Sequence, residues 1–226
     1  MADVSKILFL GPEDSPLFIW LKEQNENIIQ TSHRITMDFI QVHKITFLLS
    51  YGYRYIISKE ILDRFPDHAI NLHISYLPWN RGADPNLWSF VEGTPKGVSI
   101  HYLDPGVDTG DIIVQREIAF SADGETLAST YEKLQSAIQQ LFKETWQEIK
   151  SSRSQRKKQN RIGSFHKMKD KESISHLLTQ GWHTPVSVLD DYAADLQMSL
   201  QFWEKYDREL EELSSPERGS PEHCLT

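Results

Sequence analysis

Apolar residues come in short runs through the first half of the chain and in a long helical stripe further on. Lys6–Leu10 is a mainly apolar run closed by Gly11-Pro12, the pattern of a buried first strand and a turn. Ser15-Pro16 offers an N-cap and a proline at the first helical position, and Leu17, Trp20 and Leu21 follow at helical spacing. Ile28–Thr31 is a second predicted strand. Ile45–Ser50 is a third, apolar on both faces, as suits a central parallel strand covered by helices. Tyr51, Tyr53 and Tyr55 alternate with Gly52 and Arg54, so an extended backbone there would put three rings on one face.

Ser58–Phe65 reads as a short helix, Ala69–Leu77 as a fourth strand and Pro85–Val91 as a helix. Val98–Leu103 and Ile112–Ala119 are strands on either side of a loop rich in Asp and Gly. From Thr126 to Lys150, the residues Leu127, Tyr131, Leu134, Ile138, Leu141, Phe142 and Ile149 form one stripe at helical spacing. This alternation predicts an α/β fold, a mostly parallel sheet with helices on both faces. Residues 1–150 are the expected catalytic domain. Residues 151–164, with Arg153, Arg156, Lys157, Lys158 and Arg161, read as a solvated basic linker. Residues 165–213 read as a small, mainly helical C-terminal extension with helices at Ile174–Leu178 and Tyr192–Leu213, and 214–226 as a disordered tail. In the second of these helices Leu196, Leu200, Trp203, Tyr206, Leu210 and Leu213 recur every three or four residues. That stripe suits a core-facing surface, with an intersubunit helix and a homodimer as the second reading.

Composition narrows the class. A chain of 226 residues with 39% hydrophobic and 11% aromatic content can build a packed domain plus an appendage. A net charge of −8 argues against non-specific nucleic-acid binding. A single cysteine, Cys224, excludes both a disulfide within the chain and a thiolate metal site. No signal peptide or membrane span is visible, so a cytoplasmic location is the expectation. Gly11-Pro12-Glu13 is not the glycine turn that cradles dinucleotide phosphates, which argues against a dehydrogenase.

The chemistry concentrates between Asn71 and Asp111. Asn71 and His73 are two residues apart, so on a strand both side chains face one way. Leu77-Pro78-Trp79-Asn80-Arg81-Gly82 then turns the chain away as a pocket wall would. The loop Asp104 to Asp111 can present backbone groups to a flat polar ring while holding Asp108 toward His73. An amide donor, an imidazole and a carboxylate together can run acyl transfer without a nucleophilic side chain. Blander readings stand beside this one. A lone His73 would be structural, as His101 inside its strand is expected to be. Asp104, Asp108 and Asp111 more often cap turns than hold a metal, and Arg81 suits either a substrate phosphate or a solvated surface.

Asn71-Leu72-His73, Ser75-x-Leu77-Pro78-x-x-Arg81-Gly82 and Asp104-x-Gly106-x-Asp108-Thr109-Gly110-Asp111 together resemble the formyl transferase family, which uses 10-formyltetrahydrofolate. The likeness is good over 45–150 and weak before that. It implies a Rossmann-like fold and an N-formyltransferase with Asn71, His73 and Asp108 as catalytic residues. It also implies cofactor contacts at Tyr55, Ile56 and Ile57 and at Asp104, Gly106, Val107 and Asp108, with no metal. Trp79, Asn80 and Arg81 are the expected substrate contacts. The resemblance is to the short nucleotide-sugar N-formyltransferases and to the formylation domain of some non-ribosomal peptide synthetases. The expected acceptor is therefore a small-molecule amine, the amino group of a nucleotide-linked sugar. An aminoacyl group on a carrier, methionyl-tRNA and glycinamide ribonucleotide are the alternatives, and a non-catalytic folate-binding protein is the reading of another class. Ile74 stands where the family usually has Pro, and the N-terminal half looks shorter than in the tRNA and ribonucleotide enzymes.

Overall fold

The computed structural model describes residues 5–121, 123–159, 162–198 and 201. Its centre is a six-stranded sheet in the order β2-β1-β3-β4-β6-β7. The strands are β1 (Ile7–Leu10), β2 (Ile28–Thr31), β3 (Phe47–Ser50), β4 (Ala69–His73), β6 (Gly97–Tyr102) and β7 (Ile112–Glu117). The first four run parallel, and β6 and β7 are antiparallel to their neighbours. A two-residue strand β5 (Arg81–Gly82) pairs with β8 (Phe165–His166) in a separate small sheet.

Period-two alternation divides the apolar strand residues between two layers. Ile7, Phe9, Phe47, Leu49, Ile70, Leu72, Val98 and Ile100 share one core with Leu17 and Leu21 of α1 (Pro16–Glu23) and with α5 (Leu127–Lys150). Leu8, Leu10, Leu48 and Ala69 share the other with Ile40 of α2 (Met37–His43) and Ile61 and Leu62 of α3 (Lys59–Leu62). Both faces of the sheet are covered, which is why β1 and β3 read as unbroken apolar runs. A third cluster joins Leu87, Trp88, Phe90 and Val91 of α4 (Pro85–Val91) to Leu127, Ile174, Val186 and Leu189.

α5 is held at its start by a reciprocal cap, with Ser129 N donating to Thr126 Oγ1 and Thr126 N to Ser129 Oγ. Its buried face also takes in Thr130, and its apolar stripe differs from the expected one at two places. Trp146 is fully buried, with its indole N–H donating to Glu26 Oε1 at 2.9 Å. Tyr131 is instead exposed along the cavity described below. Tyr51, Tyr53 and Tyr55 do not share a face either, because β3 ends at Ser50 and Gly52 turns the chain at φ 72°.

The C-terminal extension departs from the expected helices. Met168–Leu177 and Gly181–His183 are 3₁₀ segments, and residues 186–198 are α-helical. Leu200, Trp203, Tyr206, Leu210 and Leu213 lie outside the described residues, as does the 214–226 tail. The basic stretch after α5 is tied to the sheet rather than solvated throughout. Lys157 exchanges two backbone hydrogen bonds with Ile112, and the Arg156 guanidinium reaches Asp67 and Asp111 and lies 4.0 Å from the centre of the Tyr102 ring.

Candidate active site

β4 lies between parallel β3 and antiparallel β6, and its C-terminal residues open into a crevice, where α/β sheets bind ligands. Asn71 pairs with His101 of β6 and His73 with Ser99. His73 is buried, and its Nε2 is 3.2 Å from the carbonyl oxygen of Asn80 and 3.8 Å from Asp108 Oδ2. Asn71 Nδ2 donates to Asp108 Oδ1 at 3.1 Å. The amide, imidazole and carboxylate singled out in the sequence therefore meet.

The loop that carries Asp108 is built for that meeting. Asp104 Oδ1 accepts from Gly106 N and Thr109 Oγ1, an Asx-type turn. Asp108 itself adopts a left-handed backbone at φ 54°, a conformation that Asp tolerates better than most residues. The Gln159 side chain donates to the carbonyls of Asp108 and Gly110 at 2.9 and 2.7 Å, fixing the loop from behind. Gly82 N donates to Asp108 Oδ2 at 3.0 Å. Asp111 faces the other way and pairs with Arg156. The three loop carboxylates thus have three separate roles, and among the described residues no group of His, Cys, Asp and Glu could hold a metal ion.

His101 belongs to this centre, which the sequence did not reveal. It is fully buried, with Nδ1 2.8 Å from its neighbour's carbonyl at Tyr102 and Nε2 3.3 Å from Asp108 Oδ1. The antiparallel return of β6 is what sets it opposite Asn71, and no local pattern signals that pairing. Burial alone would raise the Asp108 pKa. The charges of His73 and His101, the hydrogen bond from His101 and the Gly82 N–H outweigh burial and hold the carboxyl well below the usual range.

The centre opens into a cavity of 1240 Å³, more than one ordinary small-molecule ligand fills. Asn71, His73 and Asp108 line it, as do Tyr55, Ile56, Ile57, Asp104, Gly106 and Val107. Tyr55, Ile56 and Val107 expose apolar surface on that side, a fit for a flat ring system with backbone groups at its edge. Trp79, Asn80 and Arg81, the expected substrate contacts, are not on the cavity wall. Asn80 is fully buried, with its N–H on Ser164 Oγ and its side chain on Thr94 and Ser164. Arg81 Nε turns back to the carbonyl of Pro78. Phe165, His166, Lys167, Met168 and Trp182 form the wall on that side instead.

A mixed sheet with an amide and an imidazole at the end of a central strand, and a carboxylate brought to them by a neighbouring loop, is the arrangement of an α/β enzyme. The formyl transferase model matches residues 16–145, more than half of the chain, and the chain belongs to that family. It is similar to the formyltransferase PseJ from Anoxybacillus kamchatkensis, solved with UDP-4,6-dideoxy-4-formamido-L-AltNAc and tetrahydrofolate. The identity is 49% and the TM-score 0.79, over 84% of this chain and 100% of that one. A 4-N formyltransferase from Francisella tularensis, 19% identical over 84% of this chain and 86% of its own with a TM-score of 0.67, shares the fold. In sequence the chain is also 32% identical over 138 residues to the methionyl-tRNA formyltransferase of Acetivibrio thermocellus, 59% of this chain and 44% of that protein. The chain thus spans less than half the length of the curated relatives it matches.

Proposed function

We propose that the protein transfers a formyl group from 10-formyltetrahydrofolate to the amino group of a nucleotide-linked amino sugar. The observation that carries this reading is the likeness to PseJ, which runs the whole length of that chain and whose solved complex holds a UDP-sugar and tetrahydrofolate together. The cavity volume, which has room for two co-substrates, and the meeting of Asn71, His73 and Asp108 support it.

The folate co-substrate, when bound, supplies a formyl carbon on a nitrogen that must leave. The Asn71 amide and the His73 imidazolium stabilise the negative charge that develops on the formyl oxygen as the amine attacks. His73 then gives its proton to the departing nitrogen. Asp108 balances the imidazolium before that transfer and gains basicity after it, because one of the charges holding its pKa down has gone. It is then the acceptor, through water, for the proton the amine sheds. One carbon–nitrogen bond forms, one breaks, and tetrahydrofolate leaves with its nitrogen protonated.

The test is incubation of the pure protein with 10-formyltetrahydrofolate and a panel of UDP- and dTDP-linked amino sugars, read by mass spectrometry of the sugar. A formamido product is expected. Formylation of methionyl-tRNA alone would overturn the acceptor assignment, and tetrahydrofolate release with no amine of any class would overturn the reaction. His73→Ala should lower kcat by about a hundredfold or more while tetrahydrofolate affinity changes little, because its role is played in the transition state.

A further inference from the structure

Asn80, an expected substrate contact, lies behind His73, where its geometry suits a different task. Its backbone is left-handed at φ 56°, a conformation that Asn tolerates better than most residues. Its side chain is spent on the protein. Nδ2 donates to Thr94 Oγ1 at 2.8 Å, and Oδ1 accepts from Ser164 Oγ at 3.1 Å. The peptide units on either side are held as well. The Asn80 N–H donates to Ser164 Oγ at 2.9 Å, and the Trp79 carbonyl accepts from the Ser75 hydroxyl at 2.9 Å. The Arg81 N–H donates to the Ser164 carbonyl at 3.0 Å. In a trans peptide the carbonyl points opposite to the N–H. The Asn80 carbonyl oxygen is thereby fixed in one direction, toward His73 Nε2 at 3.2 Å.

A carbonyl oxygen only accepts. His73 Nε2 faces that oxygen and, at 3.8 Å, Asp108 Oδ2. A bare lone pair on Nε2 would be set against two acceptors, so Nε2 carries a hydrogen in the neutral ring as well as in the imidazolium. Nδ1 makes no hydrogen bond among the described residues, and it is not sealed in. His73 lines the cavity, and Nδ1 is not one of the buried polar atoms left without a partner. Nδ1 is therefore the nitrogen whose proton can come and go.

We propose that Asn80 is a positioning residue that fixes the tautomer of His73 and assigns its acid–base work to Nδ1; the proposal rests on the reaction given above. In that reaction the imidazolium releases its Nδ1 proton to the departing nitrogen and keeps its Nε2 hydrogen against Asn80 and Asp108. One N–H bond breaks at Nδ1, one forms on the leaving nitrogen, and the ring is left neutral. The clamp comes from two directions, Thr94 just after α4 and Ser164 just before β8. The segment beyond the long helix thus reaches the imidazole through Asn80.

The experiment is nitrogen-15 NMR of the full chain without any ligand, recorded over roughly pH 6 to 9 so that the neutral ring is seen. The His73 ring is identified as the signal missing from His73→Ala. Wild type should show the Nε2–H tautomer. Asn80→Gly permits the left-handed backbone and removes the side-chain clamp. It should populate both tautomers and lower kcat by about tenfold, with KM for 10-formyltetrahydrofolate little changed, because the held proton acts in the transition state. Thr94→Val keeps the shape and takes away only the acceptor for Nδ2, so it should move both readouts the same way by less. A neutral wild-type ring with its hydrogen on Nδ1 would overturn the proposal. So would variants that lose kcat with the wild-type tautomer intact, the result of a merely structural role. A wild type that shows Nε2–H yet formylates no amine of any class would overturn the reaction and the assignment of Nδ1 with it, while the tautomer, read without substrate, stands.

Discussion

Asp108 satisfies three requirements at once. It sits at positive φ, accepts hydrogen bonds from Asn71 and Gly82 and lies close to two imidazoles. Asn is the substitution that respects the backbone, since Asn and Asp share their tolerance of the left-handed region. Its pKa is lowered in the folded chain, so its stabilising contribution is complete above the unfolded value of about 3.9 and is lost as pH falls below that. Asp108→Asn should therefore flatten the decline of stability on acidification below about pH 4, measured by urea unfolding, and should cut turnover by about a hundredfold. His101 lowers the same pKa by a hydrogen bond and by its charge. His101→Leu should move the acid limb of the kcat/KM profile to higher pH, a displacement that a purely structural histidine would not cause. Asn71, His73 and Asp108 were legible as residue types at a spacing. His101 was not, because its role comes from a partner strand thirty positions away in sequence.

Elements were legible where burial was two-sided. β1 and β3 are continuous apolar runs because each lies inside the sheet with helices above and below. β5 and β8 have two residues each, too few for any periodicity, and no sequence signal announced them. In α5 the helical stripe was visible, but Tyr131 and Trp146 exchanged places, one facing the cavity and the other the core. Energetically α5 is an anchored strut. Trp146→Ala should cost about 3–5 kcal/mol in urea unfolding, through the lost apolar area and an orphaned Glu26 acceptor. Removing the cap with Thr126→Ala should cost about 1 kcal/mol in the same measurement, with folate binding retained.

For the whole molecule, the cavity wall that carries Asn71, His73 and Asp108 was legible because it is built from a strand of the sheet and a loop beside it. The wall that holds Phe165, His166, Lys167, Met168 and Trp182 was not, because those residues return to the cavity from beyond the long helix. Gly82 is where the two parts meet. It has φ 88°, touches His166 and Phe165 and gives its N–H to Asp108. Gly82→Ala should destabilise the fold by about 1–3 kcal/mol through backbone strain alone. It should also lower kcat with saturating tetrahydrofolate, because the clash displaces the N–H from the carboxylate. A variant that lost stability at unchanged kcat would show that this contact does not matter to the reaction.

The Gln159 side chain spans two carbonyls of the Asp108 loop, and Ser164 caps the Asn80 amide behind His73. Anyone transplanting this catalytic module into a fusion enzyme would be tempted to cut at the end of the long helix, where the composition turns basic and polar. A graft trimmed there would leave these backbone groups bare and the Asp108 carboxylate unbraced. The splice belongs well downstream, after the returning strand has closed against Arg81.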